Sequence, residues 1–318
     1  MEIVKDLKWV PGMDVSTLVN SLSKVGFQSV ELGKAKETII KMKKDGAKIY
    51  LTFTSNMVTS GLRGFFAQLI KLGLVDVVVT TVGGIEEDIM KAHGEEFVIG
   101  DFGSDDVALH EKGVNRVGNL FIRGESYMKF EDLMKPYLKG LFAKKERWAP
   151  SEIFSEIGST LEDEDSILFQ AAKRKVPIFC PAITDGAFGF HLFMFQQDNS
   201  SFVVDVVKDF ENILFSTSQD EKKGLISLGG SISKHHAILA CLLNGGLDYA
   251  VYMTTARFSS GSMSGATTNE AKSWGKIKDD SDAVTVIGDV SITFPLVMIG
   301  VLEELGNEGL VDGTEKVE

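Results

Sequence analysis

Continuous apolar runs, each followed directly by a cluster of small and polar residues, recur along this chain. Such runs are typical of strands buried on both faces of a parallel sheet, and a helical pattern between the first two indicates a βαβ unit. The predicted strands are 48–53, 75–80, 176–180, 224–228, 249–253 and 283–287, and the predicted helices are 15–42, 60–73, 130–142 and 150–159. The pattern predicts an α/β fold with a doubly wound, mostly parallel, Rossmann-like sheet and helices on both faces.

The length and composition fit one large globular unit. With 318 residues, 44% apolar and 25% charged, the chain can bury a large core, and no linker interrupts it. We therefore predict a single domain over residues 1–318, with a frayed tail at 307–318. The formal charge of -12 gives no attraction to nucleic acid or to an anionic membrane.

Two further features bear on location and metal binding. The N-terminus lacks the apolar core of a signal peptide, and the apolar run at 294–302 is too short to span a bilayer, so a cytoplasmic protein without a membrane partner is expected. Cys180 and Cys241 each have apolar neighbours, which predicts two buried thiols rather than a disulfide or a metal site. Two cysteines also exclude a four-cysteine zinc site.

Small and polar clusters follow the predicted strands, namely TTVGGIEED, PAITDGAFG, GGSISKHH, the stretch after Met253, and Gly288 with Asp289. Ligands of open α/β sheets bind at the carboxyl ends of the strands, so these clusters are expected to converge on one crevice. Gly83 and Gly84 would let backbone amides approach a pyrophosphate, although a tight βα turn is the alternative and no GxGxxG is present. Asp185 and Asp289 are placed to accept from ribose hydroxyls, or else to cap helices.

The sequence SKHH, at residues 233–236, is predicted to begin a helix. A helix N-terminus disfavours imidazolium, so His235 would stay neutral and could act as a base. Adjacent histidines point in different directions, so at most one faces the crevice. A structural His-His pair is the alternative.

The stretch at residues 255–278 is rich in Gly and Ser and ends in an acid, an indole and a lysine. Lys276 is a candidate amine nucleophile, Trp274 a candidate apolar wall, and Glu270 a candidate anchor for a cationic substrate. The alternative is a core tryptophan beside an ordinary solvated lysine.

Taken together, these clusters resemble the deoxyhypusine synthase family in order along nearly the whole chain. The matching pieces are GFQSVELGKA, TSNMVTSG, TTVGGIEED, RVGN, PAITDG, SKHH, NGGLDYAVYMTTA, SGA and EAKSWGK. The resemblance implies an α/β subunit of a homotetramer with NAD sites at dimer interfaces. It also implies NAD-dependent transfer of the aminobutyl group of spermidine, through a lysine imine, to a lysine of translation factor 5A.

The resemblance also assigns roles to residues. By motif, Lys276 matches the lysine that carries the imine and His235 the base, while Trp274 and Glu270 match the wall and the anchor of the polyamine channel. The implied cofactor positions are Ser55, Asn56, Thr81, Gly83, Glu87, Asp185, Thr255, Ala256, Ser260 and Asp289. No metal is implied.

Several positions depart from the family pattern. Phe190 replaces an aspartate that contacts spermidine, while Ser260 and Met263 replace two acids, one near NAD and one near the polyamine. Charge-assisted contacts of this kind are each worth about 1.5 to 3 kcal/mol, enough to change which amine binds. The family's N-terminal segment that plugs a partner's site is also expected to be absent.

Three functional hypotheses follow. The first is deoxyhypusine synthesis. The second is a relative with another donor, such as a homospermidine synthase-like enzyme or one that uses agmatine, which the changes at Phe190 and Met263 favour. The third is a non-catalytic NAD-binding paralogue, suggested by Ser260 but opposed by the retained Lys276.

Overall fold

The computed structural model describes residues 3–312. Their contacts group into two compact units, each assembled from separate stretches of the chain. Of the described residues, 3–53, 72–79 and 213–312 form the first unit, and 54–71 and 80–212 form the second. A single domain over residues 1–318 stays a prediction, and the end of the tail predicted to fray, 313–318, lies outside the described residues.

The elements alternate between helices and strands for much of the chain. The helices are α1 Val15–Leu22, α2 Gln28–Lys44, α3 Arg63–Lys71, α4 Val82–Ala92, α5 Asp106–Glu111, α6 Gly124–Lys144, α7 Pro150–Gly158, α8 Ile167–Arg174, α9 Ala187–Asp198, α10 Val206–Leu214, α11 Ser231–Leu243, α12 Thr268–Lys272 and α13 Val290–Asn307. The strands are β1 Lys48–Thr52, β2 Val77–Val79, β3 Val98–Ile99, β4 Val114–Val117, β5 Leu120–Arg123, β6 Arg147–Trp148, β7 Ile178–Phe179, β8 Val203–Val204, β9 Lys223–Leu228, β10 Leu247–Thr254 and β11 Ile277–Ile287. A π-helical turn spans Val58–Leu62, and 3-10 turns span Phe258–Ser260 and Met263–Gly265.

Five strands of the first unit lie side by side in the order β11, β10, β9, β1, β2, and each neighbouring pair is parallel. Every residue of β9 is buried, which requires cover on both faces of the sheet. Helices α2, α11, α12 and α13 supply contacts to these strands. The predicted fold class, a mostly parallel sheet surrounded by helices, is confirmed.

The predicted strands all exist, but one boundary was wrong. Strand β11 begins at Ile277, six residues before the predicted start at 283. Its first residues, IKDDSD, carry no apolar run because β11 is at the end of the strand order, where one side of the strand meets solvent. The apolar run that predicts a strand is therefore weaker in an outermost strand than in a strand at the centre of the sheet.

The predicted helix at 15–42 is in fact two helices, because the chain turns between α1 and α2. Gly26 has φ +113° and Phe27 has φ 48°, neither of which is compatible with a right-handed helix. The helix predicted at 60–73 begins with a π-helical turn before α3, and Gly61 in that turn has φ 97°. Helices at 130–142 and 150–159 are confirmed as parts of α6 and α7.

Helix α13 is the one described helix that is long and apolar enough to cross a membrane, by length and composition only. Its Phe294, Val297 and Val301 are fully buried in the first unit. It packs against α1, α2 and β10, which explains its apolar composition as that of a core helix.

The second unit contains the remaining helices α3 to α9 and most of α10, with two small sheets, the antiparallel β3-β5-β4 and the parallel pair β6 and β8. Its buried Asp88 accepts hydrogen bonds from Arg63 Nε at 2.5 Å, from Ser166 Oγ at 2.9 Å and from the amide of Leu168 at 2.8 Å. This carboxylate ties α3 and α4 to the start of α8. Cys180 here and Cys241 in the first unit are free and buried, as predicted.

Candidate active site

A cavity of ≈ 260 Å³ lies in the first unit, against the middle of β10. Helix α11 supplies one side, and the chain from Met263 to Lys276 supplies the other. Twelve residues line it: Ser231, Lys234, His235, Ile238, Tyr252, Met263, Ala266, Thr267, Glu270, Ala271, Trp274 and Lys276. Five of the six residues predicted to be catalytic or substrate-binding are among them, although their sequence positions span residues 235–276.

The nucleophile candidate Lys276 lies beside the indole of Trp274. Its Nζ atom is 4.9 Å from the centroid of the Trp274 ring, which places the amine over the aromatic face. Trp274 is 66% exposed, so the alternative interpretation of a core tryptophan is wrong. The indole is available as a wall for a ligand in the cavity.

The location of Lys276 differs from the expectation that the whole stretch meets the carboxyl ends of the strands. Lys276 directly precedes β11, and its carbonyl accepts from the amide of Leu247, the first residue of β10, at 3.0 Å. A connection between parallel strands must run back from the carboxyl ends of the strands to their amino ends before the next strand begins. The stretch therefore starts at the carboxyl edge and returns through α12, which brings Lys276 to the amino edge.

His235 lines the cavity, whereas its neighbour His236 does not. The prediction that at most one of the two histidines faces the site is therefore confirmed, as is the prediction that SKHH lies at the start of a helix. Burial, with a smaller contribution from His235, lowers the pKa of His236 to about 4. His236 is thus neutral at pH 7, in a structural position.

Sequence reasoning missed seven of the twelve lining residues, and two of these, Lys234 and Tyr252, are buried side chains that can ionise. Lys234 is 4% exposed, and its Nζ donates to the carbonyl of Ala266 at 3.0 Å and lies 3.9 Å from the centroid of the Tyr252 ring. Burial lowers the pKa of Lys234 to about 8, against the raising effect of Glu270. The motif SKHH contained Lys234, but only its histidines were considered.

Tyr252 lies within the predicted strand 249–253, where a tyrosine is expected as a packed side chain and gives no sign of a site. Its hydroxyl is buried and has no hydrogen-bond partner among the described residues. Burial raises the pKa of this hydroxyl, so it remains a protonated donor.

Glu270 is the one carboxylate among the residues that line the cavity. It lies in the first turn of α12, where its amide donates to the N-cap residue Thr267 at 3.3 Å. Met263 also lines the cavity and is 49% exposed. An acid at the Met263 position would have given the cavity a second carboxylate.

Phe190, the remaining predicted substrate residue, is in the second unit, on α9. It is 56% exposed and its ring centroid lies 5.6 Å from that of His191. It does not line the lysine cavity of the first unit.

Most of the cofactor positions predicted in the second unit meet where α4 begins. The amide of Ser55 donates to Thr81 Oγ1 at 2.9 Å, and a Cβ atom on Gly83 would lie 2.9 Å from Ser55 Cβ. Glycine is therefore required at position 83 for this close approach. Thr81 is the N-cap of α4 but makes no side-chain cap, which leaves amides of the first helical turn for another acceptor. Asn56 follows Ser55 in the same turn and accepts from Thr54 Oγ1.

Glu87 lies one turn further along α4 and is only 5% exposed. Its two carboxylate oxygens lie 2.8 Å and 2.7 Å from the hydroxyl of Thr59. Burial raises the pKa of Glu87 to about 7, although the Thr59 hydroxyl and Lys91 oppose the shift. At neutral pH this group can therefore exist both as an acid and as a carboxylate.

Asp185 is exposed in the turn before α9, and the N-cap of that helix is Gly186. The alternative interpretation of Asp185 as a helix cap is therefore wrong. For Asp289 the cap interpretation is confirmed, because its side chain accepts from the amide of Ser291 at 2.8 Å at the start of α13.

The other predicted cofactor residues of the first unit lie at the carboxyl end of β10 or beyond it. Thr254 pairs with Ile287 in the sheet, so Thr255 and Gly288 follow neighbouring strand ends. The amide of Ala256 donates to Thr254 Oγ1 at 3.0 Å, and Ser260 Oγ donates to the carbonyl of Arg257 at 2.9 Å. Thr255 and Ser260 are exposed. Within the first unit the ends of β10 and β11 are therefore neighbours, whereas convergence of all the clusters on one crevice stays a prediction.

Comparison with known proteins agrees with this geometry. The sequence profile described as "DS: Deoxyhypusine synthase" matches residues 17–301. A Halobacterium salinarum protein named "Probable deoxyhypusine synthase" is 39% identical over 294 residues, covering 91% of this chain and 89% of its own. The Candida glabrata protein named "Deoxyhypusine synthase" is 36% identical over 331 residues, with 90% and 86% covered. The crystal structure of an Entamoeba histolytica protein assigned as a deoxyhypusine synthase has a TM-score of 0.68 and 30% identity, with 93% and 96% covered.

The fold is that of an α/β protein, and its cavity is lined by two lysines, Lys234 and Lys276. The chain belongs to the deoxyhypusine synthase family, a family of transferases. The sequence-based recognition of the family is thereby confirmed.

Proposed function

We propose that this protein transfers the aminobutyl group of spermidine to a lysine of translation factor 5A, through an imine on Lys276, with NAD as cofactor. The observation that carries the proposal is the cavity in which Lys276, Trp274, His235 and Glu270 come together. These four side chains bring a nucleophile, a wall, a base and an anion together at one cavity. Membership of the family favours this reaction over other aminoalkyl transfers and over a non-catalytic role.

Each side chain has a distinct role. Once the donor carbon of spermidine has been oxidised to a carbon–nitrogen double bond, unprotonated Lys276 adds to that carbon. The bond to the other half of spermidine then breaks, 1,3-diaminopropane leaves, and the aminobutyl group stays on Lys276 as an imine. The acceptor lysine adds to this imine and displaces Lys276. His235 takes the proton that the reacting nitrogen loses. Glu270 pairs with the distal ammonium of the aminobutyl group, and the face of Trp274 packs along its methylene chain.

NAD, when bound, would accept a hydride from the donor carbon and return it to the product. The residues of the second unit fit such a ligand. The uncapped first turn of α4 offers amides to a pyrophosphate, and Gly83 lets the backbone come close. Asp185 and Glu87 offer acceptors for ribose hydroxyls, with Asn56 and Thr81 beside them. In the first unit we assign Thr255, Ala256, Ser260 and Asp289 to NAD binding, as the family resemblance implies.

The proposal also covers assembly and location. We infer a cytoplasmic homotetramer whose sites lie at dimer interfaces, as the family resemblance implies. Phe190 is assigned to substrate contact on the same basis. These assignments can be checked by light scattering of the purified chain and by activity of Phe190→Asp.

An imine-trapping mass spectrum tests the reaction. The protein is incubated with NAD and spermidine, putrescine or agmatine, and then reduced with borohydride. We expect an aminobutyl adduct on Lys276 with spermidine, and none when NAD is omitted. An adduct from putrescine or agmatine but not from spermidine would assign the enzyme to another polyamine reaction. No adduct with any amine would refute the transferase mechanism.

The NAD assignment has its own test. Gly83→Ala places a methyl group against Ser55 Cβ, whereas Gly140→Ala, inside α6, meets no atom within 4 Å. Calorimetry should show that the first variant loses NAD affinity by about tenfold or more, while the second binds NAD like the unmodified protein. Equal affinities in all three proteins would count against the first turn of α4 as the pyrophosphate site.

A further inference from the structure

Lys234 is a buried lysine next to the cavity that the proposed mechanism does not use. Its Nζ donates to the backbone carbonyl of Ala266 at 3.0 Å and to that of Met263 at 3.4 Å, and it lies over the ring of Tyr252. A buried ammonium group is stable only with acceptors such as these. The two carbonyls belong to the chain that covers the cavity, whereas Lys234 belongs to α11.

The chain that supplies these carbonyls, residues 257–266, is here called the cover segment, and its Met263 and Ala266 line the cavity. It contains two 3-10 turns, and Gly261 between them has φ +67°. Its Phe258 is 71% exposed, and Ser260 and Ser262 bond within the segment itself. Short turns without a helix or strand of their own are held in one place only by contacts with their surroundings.

Among the described residues, hydrogen bonds from two residues of α11 reach the end of the cover segment. One is Lys234, with its pair of bonds. The other is Ser231, whose amide donates to Ser264 Oγ at 3.4 Å. The backbone is close here, because a Cβ atom on the preceding Gly230 would lie 2.2 Å from the same oxygen. The bonds from Lys234 are the charge-assisted ones, and they hold the carbonyl of Met263, a residue of the cavity wall.

We propose that Lys234 is a positioning residue, which holds the cover segment over the cavity by donating its ammonium hydrogens to the carbonyls of Met263 and Ala266. Its role in turnover rests on the proposed function, because the amine bound in the cavity is the substrate of that reaction. The role is to keep the wall closed around the amine, while Lys276 carries the chemistry. Loss of the ammonium should therefore free the segment and weaken amine binding.

The chain provides a matched control for losing a buried lysine. Lys223, on β9, is fully buried and also donates to two backbone carbonyls, those of Ser218 at 2.8 Å and Glu221 at 2.6 Å. Lys223→Met therefore removes the same kind of group as Lys234→Met, in the same unit, but away from the cover segment. Lys234→Arg retains a cation that can donate to two carbonyls.

Cleavage after Arg257 by an arginine-specific protease reports on the segment, because Arg257 is exposed at its start and the replaced lysines are not cleavage sites. In Lys234→Met we expect cleavage at this bond to accelerate by about tenfold or more, and KM for the amine to rise by a similar factor with a smaller change in kcat. In Lys223→Met the cleavage rate should match that of the unmodified chain. Lys234→Arg should recover most of the protection at the bond after Arg257, whose fragments differ in mass from those of a cut at the new arginine.

Three results would overturn the proposal. The first is an unchanged cleavage rate in Lys234→Met, and the second is equal acceleration in both methionine variants, which would indicate general destabilisation. The third is a fall in kcat with KM unchanged, which would place Lys234 in the chemistry itself. The cleavage measurement does not depend on turnover. If the unmodified chain is inactive but its Arg257 bond is still protected, that result counts against the proposed function and not against the role of Lys234.

Discussion

The Nζ atom of Lys276 lies 4.9 Å from the ring centroid of Trp274, two residues before it, and the indole is 66% exposed. An exposed aromatic ring beside an amine contributes little to the core. Its contribution is to the cavity, where it can cover the methylene chain of a bound amine and stabilise a cation.

Replacing Trp274 should therefore affect binding more than folding. For Trp274→Ala we expect KM for the amine to rise by about 2- to 30-fold, since cation-aromatic contacts are worth about 0.5 to 2 kcal/mol. The melting temperature should change little, as it should for Trp9→Ala, another tryptophan that is 77% exposed. Steady-state kinetics and thermal melts measure the two effects, and a large loss of stability in Trp274→Ala alone would show that the ring has a structural role.

Lys276→Arg should abolish the reaction while keeping the positive charge, because a guanidinium group does not form the imine. We expect turnover to fall by about 10³-fold or more and the borohydride-trapped adduct to disappear. Lys278→Arg is the control, since Lys278 pairs with Asp248 at 2.7 Å and does not line the cavity. An adduct that persists in Lys276→Arg would show that another lysine is the nucleophile, and peptide mapping would identify it.

Met263→Asp should tighten binding of a polycationic amine, since it adds a second carboxylate to a cavity that has only Glu270. A charge-assisted hydrogen bond is worth about 1.5 to 3 kcal/mol, so KM for spermidine should fall by about tenfold or more. Met263→Asn has nearly the same shape as the aspartate variant without its charge, and it should leave KM close to the original value. If both variants behave alike, charge at position 263 does not determine amine affinity.

Glu87 should make stability depend on pH. Its folded-state pKa of about 7 lies above the ordinary value, so the folded chain binds more protons than the unfolded chain at intermediate pH. The free energy of unfolding therefore falls as pH rises from about 4.5 to 7, by up to about 3 kcal/mol from this group. Without ligand, Glu87→Gln should lose this part of the pH dependence.

Denaturant unfolding at pH 5, 6, 7 and 8 measures this difference between the unmodified chain and Glu87→Gln. The control is Glu111→Gln, at an exposed glutamate on α5, which should keep the original pH profile. Parallel profiles for the unmodified chain and Glu87→Gln would mean that the carboxyl group of Glu87 is not desolvated in solution.

Much of this protein was determined by its sequence alone. Apolar runs such as VDVVVT are buried strands because such runs are stable only when both faces are covered, and the clusters ending in SKHH and EAKSWGK identified the family. The sequence around His235 also predicted its place near the start of a helix, and the apolar neighbours of the two cysteines predicted free thiols rather than a disulfide.

The tertiary structure decided the features that depend on residues distant in the sequence. Lys276 lies at the amino edge of the sheet because the connection from β10 must return there before β11 can run parallel to it. The burial of Lys234 and the unpartnered hydroxyl of Tyr252 arise where α11, β10 and the cover segment meet. No periodicity or motif spacing encodes such a meeting, because it depends on how separate elements pack.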